Sequence, residues 1–235
     1  MKIIATVLMW MSVTLIFSSC VREDVDVFTI EGYITDEISH QPIAGVPITF
    51  IAIKSPSGMG ILNGGNSETA GQATTNEKGY YKAKLKVIKE ANGLEMQINE
   101  DHLREGYMYI THPIPISDLR KGSNSTFSHT LSPTAILKIK FVNISPVSDL
   151  DEFQLLWSTP GWAKGIIDKQ SCGTVKESEV NKWIGKDVCG VYTIDVVAGY
   201  KKDIDWMVTK NNIERRFSDS VYVKLGEINE FQINY

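Results

Sequence analysis

Phe28-Thr29-Ile30-Glu31-Gly32-Tyr33-Ile34-Thr35-Asp36, then Gln41-Pro42-Ile43-Ala44-Gly45-Val46-Pro47-Ile48, then Thr74-Thr75-Asn76-Glu77-Lys78-Gly79-Tyr80-Tyr81, decide the architecture of this 235-residue chain. The first segment alternates loosely, with Phe28, Ile30 and Ile34 as apolar points, and predicts a strand. Ser39-His40-Gln41-Pro42 carries turn chemistry: Pro42 fixes φ, and Gly45 frees the backbone before the next strand. Val46–Ile53 is apolar and β-branched and predicts a buried strand. Pro47 cannot donate to a ladder, so it marks an edge or a strand beginning. Residues 54–67 are rich in Gly, Ser, Pro and Asn and predict a long loop. Gly58, Gly60, Gly64 and Gly65 do not form a phosphate loop, because no Gly-Lys-Ser/Thr follows them. Glu68–Thr75 predicts a short polar strand, and Asn76–Gly79 a tight turn with Gly79 at positive φ. Tyr80–Val87 alternates, with Tyr81, Ala83, Leu85 and Val87 on one face. Strand, turn, strand, loop, turn, strand is the grammar of a β-sandwich.

From Phe28 to Val87 the chain resembles the carboxypeptidase regulatory-like domain. The matching pieces are Gly32–Asp36, Pro42–Ile48 and Thr75–Tyr81. The resemblance implies a transthyretin-like sandwich of about seven strands. It also implies a non-catalytic accessory or binding module, since that family's peptidases carry their chemistry in a separate domain. The loop at 54–67 is longer than the family's.

The N-terminus suggests an address. Lys2 is followed by an apolar run, Ile3–Phe17, broken only by Thr6, Ser12 and Thr14, and then by Ser18-Ser19-Cys20. This is signal-peptide grammar, and the run is short of the about 20 residues a transmembrane helix needs. The ending resembles the lipobox of bacterial lipoproteins, in the looser form of the Bacteroidota; Phe17 departs from the usual small aliphatic. That resemblance implies a signal peptide at 1–19 and an acylated Cys20 as first mature residue. It also implies a tether at 20–26 and an outer-membrane lipid partner reached through the acyl chains. Several chains per protein make a stable anchor. An ordinary secretory signal with a chance cysteine is the alternative. Val21-Arg22-Glu23-Asp24-Val25-Asp26 resembles the signal that sends Bacteroidota lipoproteins to the cell surface. A plain solvated tether on a periplasm-facing chain is the other reading.

The first domain is expected to span 27–133, with further strands at Glu95–Ile98, Tyr107–Thr111 and Phe127–Leu131 and a helical turn at Glu100–Arg104. In the second, 134–235, strand patterns begin at Ile136–Val142 and recur at Phe153–Trp157, Val191–Val197, Val221–Leu225 and Glu230–Tyr235. Ile204, Trp206 and Val208 share one face, and Asn211-Asn212 fits a hairpin turn. The fold class is therefore all-β: two tandem sandwiches, transthyretin-like and then Ig-like, behind a lipoprotein signal. Ile204–Asn211 and Ser218–Tyr222 also resemble the C-terminal half of small Bacteroidota lipoproteins with the same first domain, which implies architecture and no activity. No repeat of solenoid or propeller period is present. A hydrophobic content of 43% suits two ordinary cores. The formal charge of −4 argues against nucleic acid, whose phosphates demand a basic surface.

Candidate chemistry is sparse. Once Cys20 is acylated, Cys172 and Cys189 are the remaining cysteines, and outside the inner membrane they can form a disulfide. Two buried thiols are the alternative. Between them Val180, Trp183 and Ile184 have helical spacing behind Thr174-Val175-Lys176-Glu177, a capping-box pattern, which predicts a short helix or ordered loop. His40, His102, His112 and His129 show no zinc spacing, and no Gly-x-Ser-x-Gly elbow occurs. No catalytic set, metal site or cofactor is expected. Asp149-Leu150-Asp151-Glu152 offers oxygens to calcium but lacks the loop pattern of a dedicated site, so a solvated turn before a strand is expected. Trp157 and Trp162 flank Ser158–Gly161 and are candidate contacts for a sugar face or a protein. Asp219-Ser220-Val221 resembles the Bacteroidota O-glycosylation sequon, with Ser220 as acceptor. The expected role is a non-enzymatic, lipid-anchored binding or accessory module for a glycan or protein. The alternative is an assembly component that pairs through exposed sheet edges.

Overall fold

Alternation turns into burial along the first strand, β1 (Val25–Asp36), where Phe28, Ile30 and Ile34 are buried while Tyr33 stays half exposed. The structure, a computed structural model, describes residues 24–54, 67–156, 167–172 and 177–235. After β1 come β2 (Pro47–Lys54), β3 (Ser67–Thr74), β4 (Tyr80–Ile88), β5 (Ala91–Ile98), β6 (Ile110–Pro115), β7 (Asn124–Thr126) and β8 (His129–Leu131). The second half contributes β9 (Thr134–Val142), β10 (Glu152–Leu155), β11 (Ile167–Ser171), β12 (Glu177–Glu179) and β13 (Lys182–Ile184). It ends with β14 (Cys189–Val197), β15 (Lys201–Lys210), β16 (Ile213–Tyr222) and β17 (Ile228–Asn234). The helical elements among the described residues are two single 3-10 turns, Glu100–His102 and Ile116–Asp118.

These strands build two sandwiches. In the first, a β4-β1-β7 sheet, extended by β8 along β1, faces a β3-β2-β5-β6 sheet. In the second, β11-β14-β9-β17 faces β12-β13-β10-β15-β16. Aligned, the two halves repeat one plan: β14-β9-β17 matches β4-β1-β7, and β13-β10-β15-β16 matches β3-β2-β5-β6. Each opening strand pairs antiparallel with one neighbour and parallel with the strand that closes its sandwich, β1 with β7 and β8, and β9 with β17. Each half fills its own core. The first centres on Ile30, Ile34, Phe50, Tyr81, Leu85 and Met96. The second centres on Leu137, Phe141, Phe153, Trp183, Tyr192 and Ile204, with Phe141 and Phe153 stacked 4.6 Å apart. Burying each such side chain contributes about 1.5–3 kcal/mol, which is what holds each pair of sheets together.

The opening motifs prove to be fold staples. Thr75 is buried, accepting the Val46 amide at 2.9 Å and donating to the Ile43 carbonyl at 2.7 Å. Asn76 Oδ1 accepts the amides of Lys78 and Tyr80, and Gly79 takes the turn at φ 68°. Gly32 lies against the Phe127 carbonyl where any Cβ would collide, and Tyr81 donates to that same carbonyl at 2.6 Å. Pro47 opens β2, a central strand, so it marks a beginning and not an edge.

The halves meet at Ser132-Pro133. Met108 donates to Ser132, Thr134 to Gly106 and Ala198 to Pro133 through backbone bonds of 2.8–3.0 Å. Glu37 receives hydroxyl hydrogen bonds from Ser132 on one side and from Tyr200, at 3.1 Å, on the other.

Candidate interaction surface

The cysteine pair is bridged. Cys172 follows β11, Cys189 opens β14, their Cα atoms are 5.3 Å apart, and the Cys172 amide donates to Cys189. The segment they enclose holds no helix among the described residues. It folds as the β12–β13 hairpin, with Val180 78% exposed at the tip and Asn181 at φ 59°. The spacing misled because only Trp183 of the three apolar residues is buried, where it packs on Phe141 at 4.5 Å. Residues 174–176 of the capping pattern lie outside the described residues, as do Cys20, Trp157 and Trp162.

The turn at 149–152 is not solvated throughout. Asp151 is fully buried and accepts hydrogen bonds from the Val147 and Ser148 amides, the Ser148 hydroxyl and Asn143 Nδ2. Burial pulls its pKa up, but these donors and the nearby Lys210 charge outweigh burial and hold the carboxyl below its ordinary value. It is an anchor for the loop. Among the described residues no group of three or more His, Cys, Asp or Glu could hold a metal ion.

Among the described residues the histidines do not converge on a nucleophile. His112 on β6 and His129 on β8 lie ring to ring at 4.6 Å, with His129 Nε2 buried and without a partner among the described residues. Burial first, and His112 second, hold the His129 pKa below its ordinary value, so the ring is kept neutral. His102 sits at the junction of the two halves, in a groove of about 450 Å³ shared with Glu105, Tyr107, Thr134 and Asp195. Its Nδ1 lies 3.3 Å from the Tyr107 carbonyl.

The exposed edge that stands out is β16. It pairs with β15 over its full length, Lys201↔Tyr222 to Lys210↔Ile213, and its other side carries no strand among the described residues. The Asn211-Asn212 turn that launches it has φ 52° and 60°, as a two-residue hairpin requires. Edges of this length are normally blunted by proline, bulges, brevity, charged side chains or a covering element. The edge strand β6 carries Pro113 and Pro115, and β12 is three residues long with a register shift. Strand β16 has ten residues and no proline or bulge, and its charged residues, Glu214, Arg215, Arg216 and Asp219, include both signs.

Its core-side face is also largely uncovered, apart from Val221, which is half-buried against the second core. Ile213, Arg215, Phe217, Asp219 and Val221 lie beside Lys210, Val208, Trp206, Ile204 and Lys202 of β15, among which Val208 and Ile204 are buried core. Yet Ile213 is 58% and Phe217 42% exposed, and Arg215 and Asp219 are exposed. The facing sheet ends at β17, whose Phe231 meets Trp206 of β15 at 6.1 Å, so β16 overhangs it. Phe217 stacks on Trp206 at 5.6 Å and 14°. Val208, Lys210, Ile213, Arg215, Phe217 and Tyr235 line an open groove of about 360 Å³ beneath the overhang. Ser220 is half-buried on the opposite face of this strand.

No protein-family model matches this chain, and no curated protein does. Among solved structures it is similar to the Streptococcal ancillary pilin, at 12% identity and TM-score 0.36, covering 90% of this chain and 63% of that one. It is similar to GBS52, the minor pilin of Streptococcus agalactiae, at 12% identity and TM-score 0.36, over 88% of this chain and 94% of that one. A Bacillus anthracis protein, TIE, matches at 14% identity and TM-score 0.31, and this chain spans about a third of its length. These are low scores at low identity, and they name no function for this chain. Among the described residues no helix is long and apolar enough to cross a membrane.

Proposed function

We propose that this protein is a non-catalytic assembly component, tethered to the outer membrane by acyl chains on Cys20 and displayed on the cell surface, which engages a protein partner by strand addition to β16. The observation that carries this reading is the edge itself: ten residues long, paired on one side and free of proline, with its core-side face largely unshielded. Strand addition draws affinity from main-chain hydrogen bonds and specificity from alternate side chains, and β16 offers both. The two bonded sandwiches and the carbonyl-pinned junction give that edge a fixed platform. The carboxypeptidase regulatory-like resemblance of the first half agrees with an accessory role. A glycan contact at Trp157 or Trp162 is the second reading, and a sugar array on the signal-free protein separates the two.

The test is a photo-crosslinking residue at Ser218 in intact cells, with Lys84 on the outer face of β4 as the control position. A discrete adduct from 218 and none from 84 is expected. No adduct at 218 would remove edge pairing from consideration. Cys20→Ser tests the address: the variant is expected to leave the outer-membrane fraction.

A further inference from the structure

We infer that the partner of β16 is a second copy of this chain, joined edge to edge about a two-fold axis through Phe217. The inference rests on the edge-pairing reading and adds the partner and the register. An isologous interface must be self-complementary: whatever i meets in j, j must meet in i. The core-side residues of β16, in order, are Ile213, Arg215, Phe217, Asp219 and Val221. This series is apolar, positive, aromatic, negative, apolar. Laid antiparallel on itself with Phe217 at the centre, it places Ile213 opposite Val221 of the other copy, Arg215 opposite Asp219 and Phe217 opposite Phe217. Residues directly opposed in an antiparallel pair share a face, so the two overhanging faces become one. Opposite charges and apolar pairs at such positions are the stabilising ones. Sliding one copy by two residues sets Phe217 against Asp219 and Arg215 against Val221, and the complementarity is lost.

Two features of the monomer fit this register. The Arg215 side chain has no hydrogen bond or ion pair to any described residue, although Arg216 beside it pairs with Glu214 at 3.2 Å. Ile213 and Arg215, beside which the second copy's Val221 and Asp219 would stand, are both exposed. On the opposite face Glu214 meets Ser220, and Arg216 meets Ser218. The pairing joins two five-stranded sheets into one continuous sheet.

The test uses residues 20–235 with Cys20→Ser, which keep every described element. Sedimentation is expected to show a concentration-dependent dimer. Arg215→Asp and Asp219→Arg each put like charges opposite one another twice, and each is expected to weaken the dimer by about tenfold to a hundredfold. The double variant R215D/D219R is expected to restore it. An equimolar mixture of the two single variants is expected to associate where neither does alone, because the mixed pair is complementary at both contacts. Phe217→Cys is expected to form a symmetric intermolecular disulfide under mild oxidation, and Ser218→Cys is not. A protein that stays monomeric, charge variants that rescue nothing, or a cross-link from 218 but not from 217 overturns the inference. If the protein is monomeric and the in-cell adduct at 218 contains another protein, edge pairing stands and only self-pairing falls.

Discussion

Among individual residues, the polar groups that look exposed in sequence do much of the structural work. Asp151 sits in a run of acids yet is fully buried, with its two oxygens fixing the Val147–Ser148 amides, the Ser148 hydroxyl and Asn143. Asp151→Ala strands these donors, and a loss of roughly 2–4 kcal/mol in urea unfolding is expected. Its folded pKa is depressed, so its contribution is fully present above the ordinary carboxyl value of 3.8 and is lost as pH falls through the folded value. His129 behaves in the opposite sense. The fold favours its neutral ring, so its folded pKa lies below the ordinary 6.5. As pH falls below 6.5 the unfolded chain takes up the proton first, and stability drops until the folded pKa is passed. His129→Gln is therefore expected to flatten the stability profile between about pH 7 and 5. An unchanged profile would mean that the burial of His129 does not govern it.

For strands and turns, what the sequence discloses depends on how local its cause is. The opening motifs are legible because each acts within a few residues: Asn76 on its own turn, Gly79 at positive φ, Pro47 at a strand start. Strands with one buried face, such as β4 and β14, show their period directly. The first half of β16 does not, because Ile213–Phe217 is exposed on both faces and nothing imposes alternation. Its existence is signalled only by the Asn211-Asn212 turn and its length only by the partner strand β15. The short strand β8 falls within the Phe127–Leu131 pattern, but β7 and the parallel, long-range pairing of both with β1 have no local signal. The β12–β13 hairpin shows the reverse error, a helical spacing over five residues produced by one core tryptophan and two exposed neighbours. What fixes that hairpin region is the disulfide, which closes the chain between positions 172 and 189. Replacing both cysteines with serine is expected to cost about 3 kcal/mol through the freed unfolded chain, measured by urea titration with and without reductant. If the wild type loses nothing on reduction, the bridge does not constrain the unfolded state as argued.

Across the full length of the chain, strand direction determines what edge pairing can connect. Strand β1 starts at Val25, next to the proposed tether, and ends at Asp36 beside the junction residue Glu37. Strand β9 leaves the junction at Thr134, and β15 runs from Lys201 near Tyr200 out to Lys210, which bonds Asn143 and Ser145 at the far pole. Strand β16 returns from that pole toward the junction. Two copies paired antiparallel through β16 therefore place their first sandwiches, and their tethers, at opposite ends. Upright copies on one membrane cannot meet this way, whereas copies on two facing membranes can. On the proposed pairing, the expected outcome is adhesion between cells that carry the protein. Cells displaying the wild type are expected to clump, and cells displaying either R215D or D219R are expected to stay dispersed. Mixing the two dispersed populations is the decisive step, because one copy then presents acids at both 215 and 219 of β16 and the other presents arginines at both. Every opposed charge pair across the gap is attractive again. Clumps containing both cell types are expected, visible with two fluorescent labels. If the mixture stays dispersed while the same two proteins associate in solution, the pairing is real but joins copies lying along one surface.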